Sequence, residues 1–352
     1  MKKSAPLLLV SLLMSSFAIS GCSNNSKINL IYGDYTNNTV TDIKYLDLQS
    51  KIANKETFML AVEPTGSCAC WSDFKAILNV YIPETHVIVY HMKYAMFYEN
   101  ETYGLNLRDG YTTFAIFESG ELKQNIISDR QNMFHDEKVF REYITGTVNL
   151  PHYFYISLDK TNELFAASST SSVIYFARST CSDCAYVDKY VLKDYAENHS
   201  FRNDMYILDC EKIGIREYDE DGHLTPESQV KWNKFKEDML LADTYNKDYG
   251  YNTGYVPTFI KVRNNTVESA SVYFNDTVEE VDGKYKVTDS YYTEERLPKL
   301  DYLKDYSGTK VLKGLELSED SIQKFGSFAM WKQEKAAEYH TPLLKCFLDS
   351  YL

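Results

Sequence analysis

The sequence has few basic residues, few cysteines and few long apolar runs. It contains 37 lysine and arginine residues against 50 acidic ones, a formal net charge of −13. A surface of this sign repels nucleic acid, which is therefore not an expected partner. The 7 cysteines are too few for a disulfide scaffold in a chain of 352 residues. Beyond the N-terminus, no apolar run approaches the ~20 residues that a membrane helix needs.

The N-terminus combines a positive start with a short apolar stretch. Lys2 and Lys3 precede an apolar run over residues 7–19, and small residues then lead to Cys22. This pattern is typical of a secretory signal peptide, and its apolar part is too short to span a bilayer.

The ending Ile-Ser-Gly-Cys resembles the lipobox of bacterial lipoproteins, in which the cysteine is acylated and becomes the new N-terminus. The resemblance implies that residues 1–22 are a signal peptide and that Cys22 carries lipid. The mature protein is then expected at the cell membrane, held by its lipid anchor on the extracytoplasmic face. The polar residues that follow predict a tether over 23–40.

The remaining chain contains an internal repeat. Segments 59–70 and 173–184 align without a gap: in each, an apolar run leads into a turn and then into a cysteine cluster, so that Cys70 matches Cys184. Both copies read strand, helix, strand, helix, strand, strand, helix, which predicts an α/β fold with a mixed central sheet flanked by helices. The shared spacing predicts two tandem domains, 41–150 and 151–352.

The second copy carries a Cys-Ser-Asp-Cys motif, Cys181 to Cys184, between a predicted strand and a helical pattern. A cysteine in the first turn of a helix meets unpaired backbone N–H groups and the positive end of the helix dipole, which both favour thiolate. Cys181 is therefore predicted as an exposed attacking sulfur and Cys184 as the resolving sulfur. A static structural disulfide and a zinc site remain alternatives.

Further along, Pro257 begins a predicted strand within Val-Pro-Thr-Phe, where a cis peptide bond is tolerated. Together with the strand, the Cys-x-x-Cys motif and the helix, these residues resemble the thioredoxin-like superfamily, in which a cis-proline loop faces the cysteine pair. The resemblance implies a thioredoxin-like fold for 151–352, with Cys181 as nucleophile, Cys184 as resolving thiol and Pro257 in the substrate-facing loop. No cofactor and no metal are expected.

The second copy departs from that family at three places. Tyr175 stands where many members have a buried acid that moves a proton, and Thr180 replaces a common aromatic residue. Asp183, inside the motif, opposes thiolate formation by like-charge repulsion, so an unstabilised thiolate and a leaning toward reductant chemistry are expected.

The second copy has three other features: an additional helix, two further cysteines and a stretch without a motif. Residues 227–241 predict an amphipathic helix in an insertion near the active face, where it either shapes the choice of partner or only packs against the domain. Cys210 and Cys346 are interpreted as buried, inert thiols. The stretch 278–315 carries no recognisable motif.

The first copy lacks two hallmarks of the second. Ser67 replaces the attacking cysteine, and Thr112 stands where proline is expected. Cys68 and Cys70 are separated by one residue, so a disulfide between them would close a small, strained ring. This copy resembles a degenerate thioredoxin-like domain with a docking role, and its two cysteines are secondary candidate thiols.

Two functions are compatible with these patterns. The first is a membrane-anchored extracytoplasmic thiol–disulfide oxidoreductase that acts on protein disulfides through the Cys181/Cys184 dithiol, with a membrane or extracytoplasmic redox partner. The alternative is a non-catalytic surface lipoprotein that uses thioredoxin-like domains for binding or adhesion.

Overall fold

The computed structural model describes residues 27–129, 131–239, 256–273, 276–308, 311–317 and 328–352. The predicted signal peptide and Cys22 lie outside these residues. The strands are β1 (Ile28–Asn29), β2 (Tyr32–Asp34), β3 (Thr41–Asp42), β4 (Phe58–Glu63), β5 (Val89–Lys93), β6 (Thr113–Glu118), β7 (Glu121–Ile127), β8 (Val148–Asn149), β9 (Tyr153–Tyr155), β10 (Ser172–Ala177), β11 (Met205–Asp209), β12 (Thr258–Arg263), β13 (Thr266–Val272), β14 (Thr277–Val281), β15 (Lys284–Asp289) and β16 (Glu316–Leu317). The helices are α1 (Tyr45–Ala53), α2 (Ala69–Thr85), α3 (Glu137–Thr147), α4 (Leu158–Ala166), α5 (Ser182–Val187), α6 (Lys193–Asn198), α7 (Pro226–Asp238) and α8 (Phe328–Asp349).

The chain builds two mixed sheets of the same topology. The first has the order β3-β5-β4-β6-β7, and the second has β9-β11-β10-β12-β13 with β2 added beside β9. In both, the first three strands are parallel and the last two antiparallel. This is the strand order of a thioredoxin-like domain, so the predicted α/β class with two tandem thioredoxin-like domains is confirmed.

The two sheets also share their register. Met59 pairs with Ile116 in the first sheet, and Val173 pairs with Lys261 at the equivalent position of the second. Directly after Ile116 and directly after Lys261, the pairing with the last strand shifts by one residue. A β-bulge is a local irregularity that the topology does not require. Its presence at the same place in both sheets supports duplication of one ancestral unit.

The central strands β4 and β10 are continuous apolar runs, and nearly every residue in them is buried. Strands of this kind are covered by helices on both faces, unlike an alternating strand with one solvated face. Stacked aromatic rings and aliphatic side chains fill the space between each sheet and its helices, in two clusters for the first domain and one for the second.

The predicted tether over 23–40 is partly wrong. Strands β1 and β2 fall within it, and β2 runs parallel to β9 as the edge of the second sheet. Leu30 packs in a core cluster of the first domain, whereas its neighbour Ile31 packs in that of the second. The serines and asparagines at 23–26 suggest a polar tether, but the apolar residues that follow them, Ile28, Leu30 and Ile31, are buried.

The insertion after β11 contains the predicted amphipathic helix. It begins at Pro226, with the Thr225 hydroxyl accepting the Ser228 N–H (3.2 Å), and its Trp232 and Phe235 are buried in the second core. A second addition, between β13 and α8, forms the small antiparallel sheet β14-β15-β16. Strands β14 and β15 lie at the start of the stretch in which the sequence shows no motif, and β16 follows its end.

Candidate active site

The cysteine pair of the second domain lies where strand β10 gives way to helix α5. Cys181 is the N-cap residue, with an extended backbone (φ −84°, ψ 119°), and its carbonyl oxygen accepts the Ala185 N–H at 3.0 Å. The helix continues from α5 through a π-helical turn, Asp188–Leu192, into α6. The sulfur of Cys181 is thus placed beside the unpaired N–H groups of the first helical turn, as the sequence predicts.

The loop before β12 faces this sulfur. The Val256–Pro257 peptide bond is cis, and the Cys181 Sγ lies 3.6 Å from the Val256 carbonyl oxygen. The structure therefore brings together the three residues assigned from the sequence, Cys181, Cys184 and Pro257. Cys181 is less accessible than expected: it is 9% exposed, and Cys184 is 3% exposed.

The pKa of Cys181 is lowered to about 6, chiefly because the Cys184 side chain donates a hydrogen bond to its sulfur, with help from the Cys184 N–H. Burial and the Asp183 charge act in the opposite direction but are outweighed. The expectation of an unstabilised thiolate is thus wrong. Burial and the neighbouring Cys181 raise the pKa of Cys184 far above that of an ordinary thiol, so the two sulfurs have distinct roles.

A buried polar pair lies behind Cys184. Tyr175 is stacked on Phe259 with ring centroids 4.3 Å apart, and its buried hydroxyl interacts with the Cys184 side chain and with the Asp188 carboxyl group. Desolvation, then the charge of Asp188, then Cys184 raise its pKa well above the usual value. Tyr175 therefore lies between the resolving thiol and a carboxyl group.

That carboxyl group, Asp188, was missed by the sequence analysis. Its Oδ1 is shielded from solvent, and burial raises its pKa to about 7, with smaller contributions from Asp209 and Cys181. Asp188 follows Cys184 by four residues, a spacing that places both on one helix face. This spacing is the signal that could have identified it.

Glu211 is a second residue that the sequence analysis missed. Its carboxylate accepts hydrogen bonds from the Thr180 hydroxyl (2.6 Å), the Thr180 N–H (3.1 Å) and the Ser179 hydroxyl (3.0 Å). Because these groups form the turn before Cys181, Glu211 fixes the approach of the chain to the N-terminus of α5.

Helix α7 is connected to the same turn through side chains. Arg178 donates to the Tyr218 hydroxyl (2.8 Å), Arg216 donates to the same oxygen (2.9 Å), and the Arg216 guanidinium lies 4.6 Å from the Trp232 ring centroid. Since Arg178 precedes Cys181 by three residues, the insertion lies near the active face, as the sequence predicts.

The first domain has a disulfide between Cys68 and Cys70 at the N-terminus of α2. Thr112 occupies the position of Pro257: its carbonyl accepts the Ser128 N–H (2.9 Å), as the Pro257 carbonyl accepts the Tyr273 N–H (3.1 Å). Within the described chain, Val256–Pro257 is the one cis peptide bond. The first domain therefore differs from the second in both its cysteine pair and the loop that faces the pair.

The other two cysteines of the second domain differ in burial, and only Cys210 is as buried as the sequence predicts. Cys210 is 0% exposed, at the end of β11. Cys346, in α8, is half-buried, and burial together with the Asp349 charge raises its pKa. Among the described residues, no cluster of three His, Cys, Asp or Glu side chains has the arrangement of a metal site, and no helix has the length and apolarity to cross a membrane.

Comparison with known proteins gives structural similarity only. No protein-family model and no curated protein matches the chain. A structure of human ERp44 (form II) has 9% identity over 68% of this chain and 53% of its own, with a TM-score of 0.34. The bb fragment of ERp72 has 11% identity over 66% of this chain and 90% of its own, with a TM-score of 0.31. The chain thus spans about half the length of the ERp44 structure.

Proposed function

We propose that this chain is a lipid-anchored, extracytoplasmic thiol–disulfide oxidoreductase that acts on protein disulfides. The observation that carries the proposal is the Cys181 sulfur, 3.6 Å from the carbonyl oxygen of a cis-proline loop and stabilised as a thiolate, with a pKa of about 6. The fold and the Cys-x-x-Cys spacing support the same chemistry.

In the proposed reaction, the Cys181 thiolate attacks one sulfur of a substrate disulfide. A mixed disulfide forms, and the other substrate sulfur leaves as a thiolate that takes a proton from water. Cys184 then attacks Cys181, which releases the second substrate thiolate and leaves a Cys181–Cys184 disulfide. The reverse sequence oxidises a dithiol. A substrate or redox partner must supply or take up the two electrons in either direction.

The second step requires loss of the Cys184 proton, which its raised pKa opposes. We assign the acceptor to Asp188, acting directly or through the Tyr175 hydroxyl. A carboxyl group with a pKa of about 7 is partly ionised at neutral pH and can take a proton and later return it.

The stabilised thiolate bears on the direction of electron flow. A low pKa of the attacking cysteine stabilises the dithiol form relative to the disulfide, which makes the pair more oxidising. The lowered pKa of Cys181 therefore favours disulfide donation over the reductant role that Asp183 suggests from the sequence.

The membrane anchor rests on the sequence around Cys22. Strand β1 begins at Ile28, six residues later, and six residues of extended chain reach at most ~20 Å. A lipid on Cys22 would therefore keep the first domain close to the bilayer surface. Fatty-acid labelling should be seen in the wild-type protein and be lost in Cys22→Ser. Persistent membrane association of unlabelled Cys22→Ser would contradict the anchor.

A non-catalytic binding protein is the second candidate, and the low exposure of Cys181 (9%) favours it. Trapping discriminates between the two. In Cys184→Ala, the resolving step is removed, so native membranes should yield mixed disulfides on Cys181. The control is Cys210→Ala, with an intact pair and no trapped species expected. Absence of Cys181 conjugates in Cys184→Ala would favour the binding function.

A further inference from the structure

We propose that the Cys68–Cys70 disulfide of the first domain is a second, independent redox site that oxidises external dithiols. This disulfide caps a helix of 17 residues, at the place that corresponds to the Cys181–Cys184 motif in the second domain. The proposal goes beyond the function assigned to the second domain and does not depend on it.

The two sulfurs differ in their access to solvent. Cys68 is half-buried, whereas Cys70 is 6% exposed. An external thiolate can therefore reach Cys68 more readily than Cys70. The direction of attack is set by burial rather than by the order of the cysteines, since the residue matching the attacking Cys181 is Ser67.

Each sulfur also has its own hydrogen-bond donor. The Cys70 N–H donates to the Cys68 Sγ at 3.2 Å, and the Thr112 hydroxyl donates to the Cys70 Sγ at 3.3 Å. Such donors stabilise a thiolate more than a disulfide sulfur, because a bond to a charged acceptor is stronger. Both sulfurs are thus prepared to leave as thiolates.

Hydrogen bonds of its backbone hold Thr112 in place beside the disulfide. It is fully buried, its N–H donates to the Ser128 hydroxyl (3.0 Å), and its carbonyl accepts the Ser128 N–H (2.9 Å). These bonds hold the side chain against Cys70. A proline at this position, as in the second domain, would offer no hydroxyl, so the substitution that makes the copy look degenerate supplies the donor.

The reaction balances with a dithiol as the reductant. One substrate thiolate attacks Cys68, the Cys68–Cys70 bond breaks, and Cys70 leaves as a thiolate and takes a proton. The second substrate thiolate attacks the substrate sulfur bound to Cys68, and Cys68 leaves and takes a proton in turn. The dithiol loses two electrons and two protons and becomes a disulfide, and the cysteine pair gains both.

The test uses the full chain with Cys181→Ser and Cys184→Ser, which removes the other pair. Reduction of Cys68–Cys70 by dithiothreitol is followed by quenched alkylation and mass spectrometry. Thr112→Val should slow the reduction of this disulfide about tenfold, which is the expected effect of losing a hydrogen bond to a charged leaving group. Thr112→Ser should retain the rate. The matched control is Thr113→Val, whose buried hydroxyl has no partner among the described residues and whose loss should change the rate less than twofold.

Equal rates in Thr112→Val and Thr113→Val would overturn the proposal. A second pair of variants covers the case in which Thr112→Val does not fold. In the same background, Cys70→Ser should form a mixed disulfide with an activated thiol peptide at Cys68, and Cys68→Ser should not form one at Cys70. If both variants are labelled equally, or if neither variant is labelled, the assigned direction of attack is contradicted. Because the second pair is absent throughout, these results do not depend on the trapping experiment.

Discussion

At the residue scale, the site of the second domain is a set of sulfurs and carboxyl groups with different pKa values. Burial alone would raise the pKa of both cysteines, since it penalises the charged form. The hydrogen bond between the two sulfurs lowers the pKa of Cys181 and raises that of Cys184. Cys181 is therefore favoured as a thiolate and Cys184 as a thiol. The attacking and resolving roles thus follow from one contact.

This division predicts the pH dependence of alkylation in the reduced protein. Iodoacetamide reacts with thiolate, so labelling of Cys181 should rise with pH around a midpoint of about 6. In Cys184→Ala, the midpoint should move up by more than one pH unit, because the largest stabilising cause is removed. Cys346, whose pKa is raised, is the internal control and should label only at higher pH. A common midpoint for both cysteines, measured by peptide mass spectrometry, would contradict the assignment.

Asp188 gives a second prediction at this scale. Its pKa of about 7 is above that of an unfolded aspartate, roughly 4, so the folded state binds the proton more tightly. The free energy of unfolding therefore decreases as the pH rises between these values. Asp188→Asn cannot ionise, and its stability relative to the wild type should increase by about 2 kcal/mol from pH 5 to pH 8, allowing for partial solvent screening.

The control for that experiment is Asp194→Asn, measured by the same denaturant titrations. The pKa of Asp194 is lowered by the hydrogen bond from Lys345, so its charge stabilises the fold above the unfolded pKa and that contribution is lost at acid pH. Asp194→Asn should thus lose stability relative to the wild type at pH 8. The same pH trend in both variants would argue against a buried Asp188.

At the scale of elements, the N-terminal strand β2 joins the two domains. Gly33 pairs with Phe154 in the second sheet and forms a bridge with Val87 of the first domain. The His86 carbonyl, just before Val87, accepts the Asp34 N–H at 2.7 Å. A side chain at position 33 has no room between these two surfaces.

Gly33→Ala is therefore expected to destabilise the protein. An added Cβ would lie 2.5 Å from the Phe154 ring and 2.7 Å from the His86 carbonyl oxygen, and neither can move without disturbing a sheet or a helix end. We expect a loss of about 2 kcal/mol or more in the free energy of unfolding. Gly146→Ala is the matched control: it lies in α3 with open space around the new Cβ, and it should stabilise by roughly 0.5–1 kcal/mol. Equal effects of both substitutions on thermal unfolding would contradict the packing described.

At the scale of the whole molecule, one short segment contributes to both cores. The core clusters of the two domains are separate, and Leu30 belongs to the first whereas Ile31 belongs to the second. The domains are thus joined by backbone pairing more than by a shared core.

Two neighbouring substitutions should therefore report on different domains. Leu30→Ala and Ile31→Ala each remove a buried side chain, which costs about 2–4 kcal/mol. Hydrogen exchange should show lost protection in β4 for Leu30→Ala and in β10 for Ile31→Ala. Loss of protection in both strands for either variant would show that the domains unfold as one cooperative unit.

The sequence by itself predicted the α/β class, the internal repeat, the place of the cysteine pair and the proline that faces it. These depend on local properties: apolar periodicity, the spacing of two cysteines at a helix start, and the backbone preference of proline before a strand. The helix over 226–238 was found in the same way, from its periodic aromatic residues.

The tertiary structure decided what depends on packing between distant segments. Only the fold places the Tyr175 hydroxyl beside Asp188, brings Glu211 to the turn before Cys181, and sets Thr112 against the Cys70 sulfur. The N-terminal strand was missed because pairing with β9 comes from a segment far along the chain and leaves no periodicity of its own. The lowered pKa of Cys181 also depends on the tertiary structure. The hydrogen bond from Cys184 and the burial of the Cys181 sulfur are properties of the folded site and not of the Cys-x-x-Cys motif.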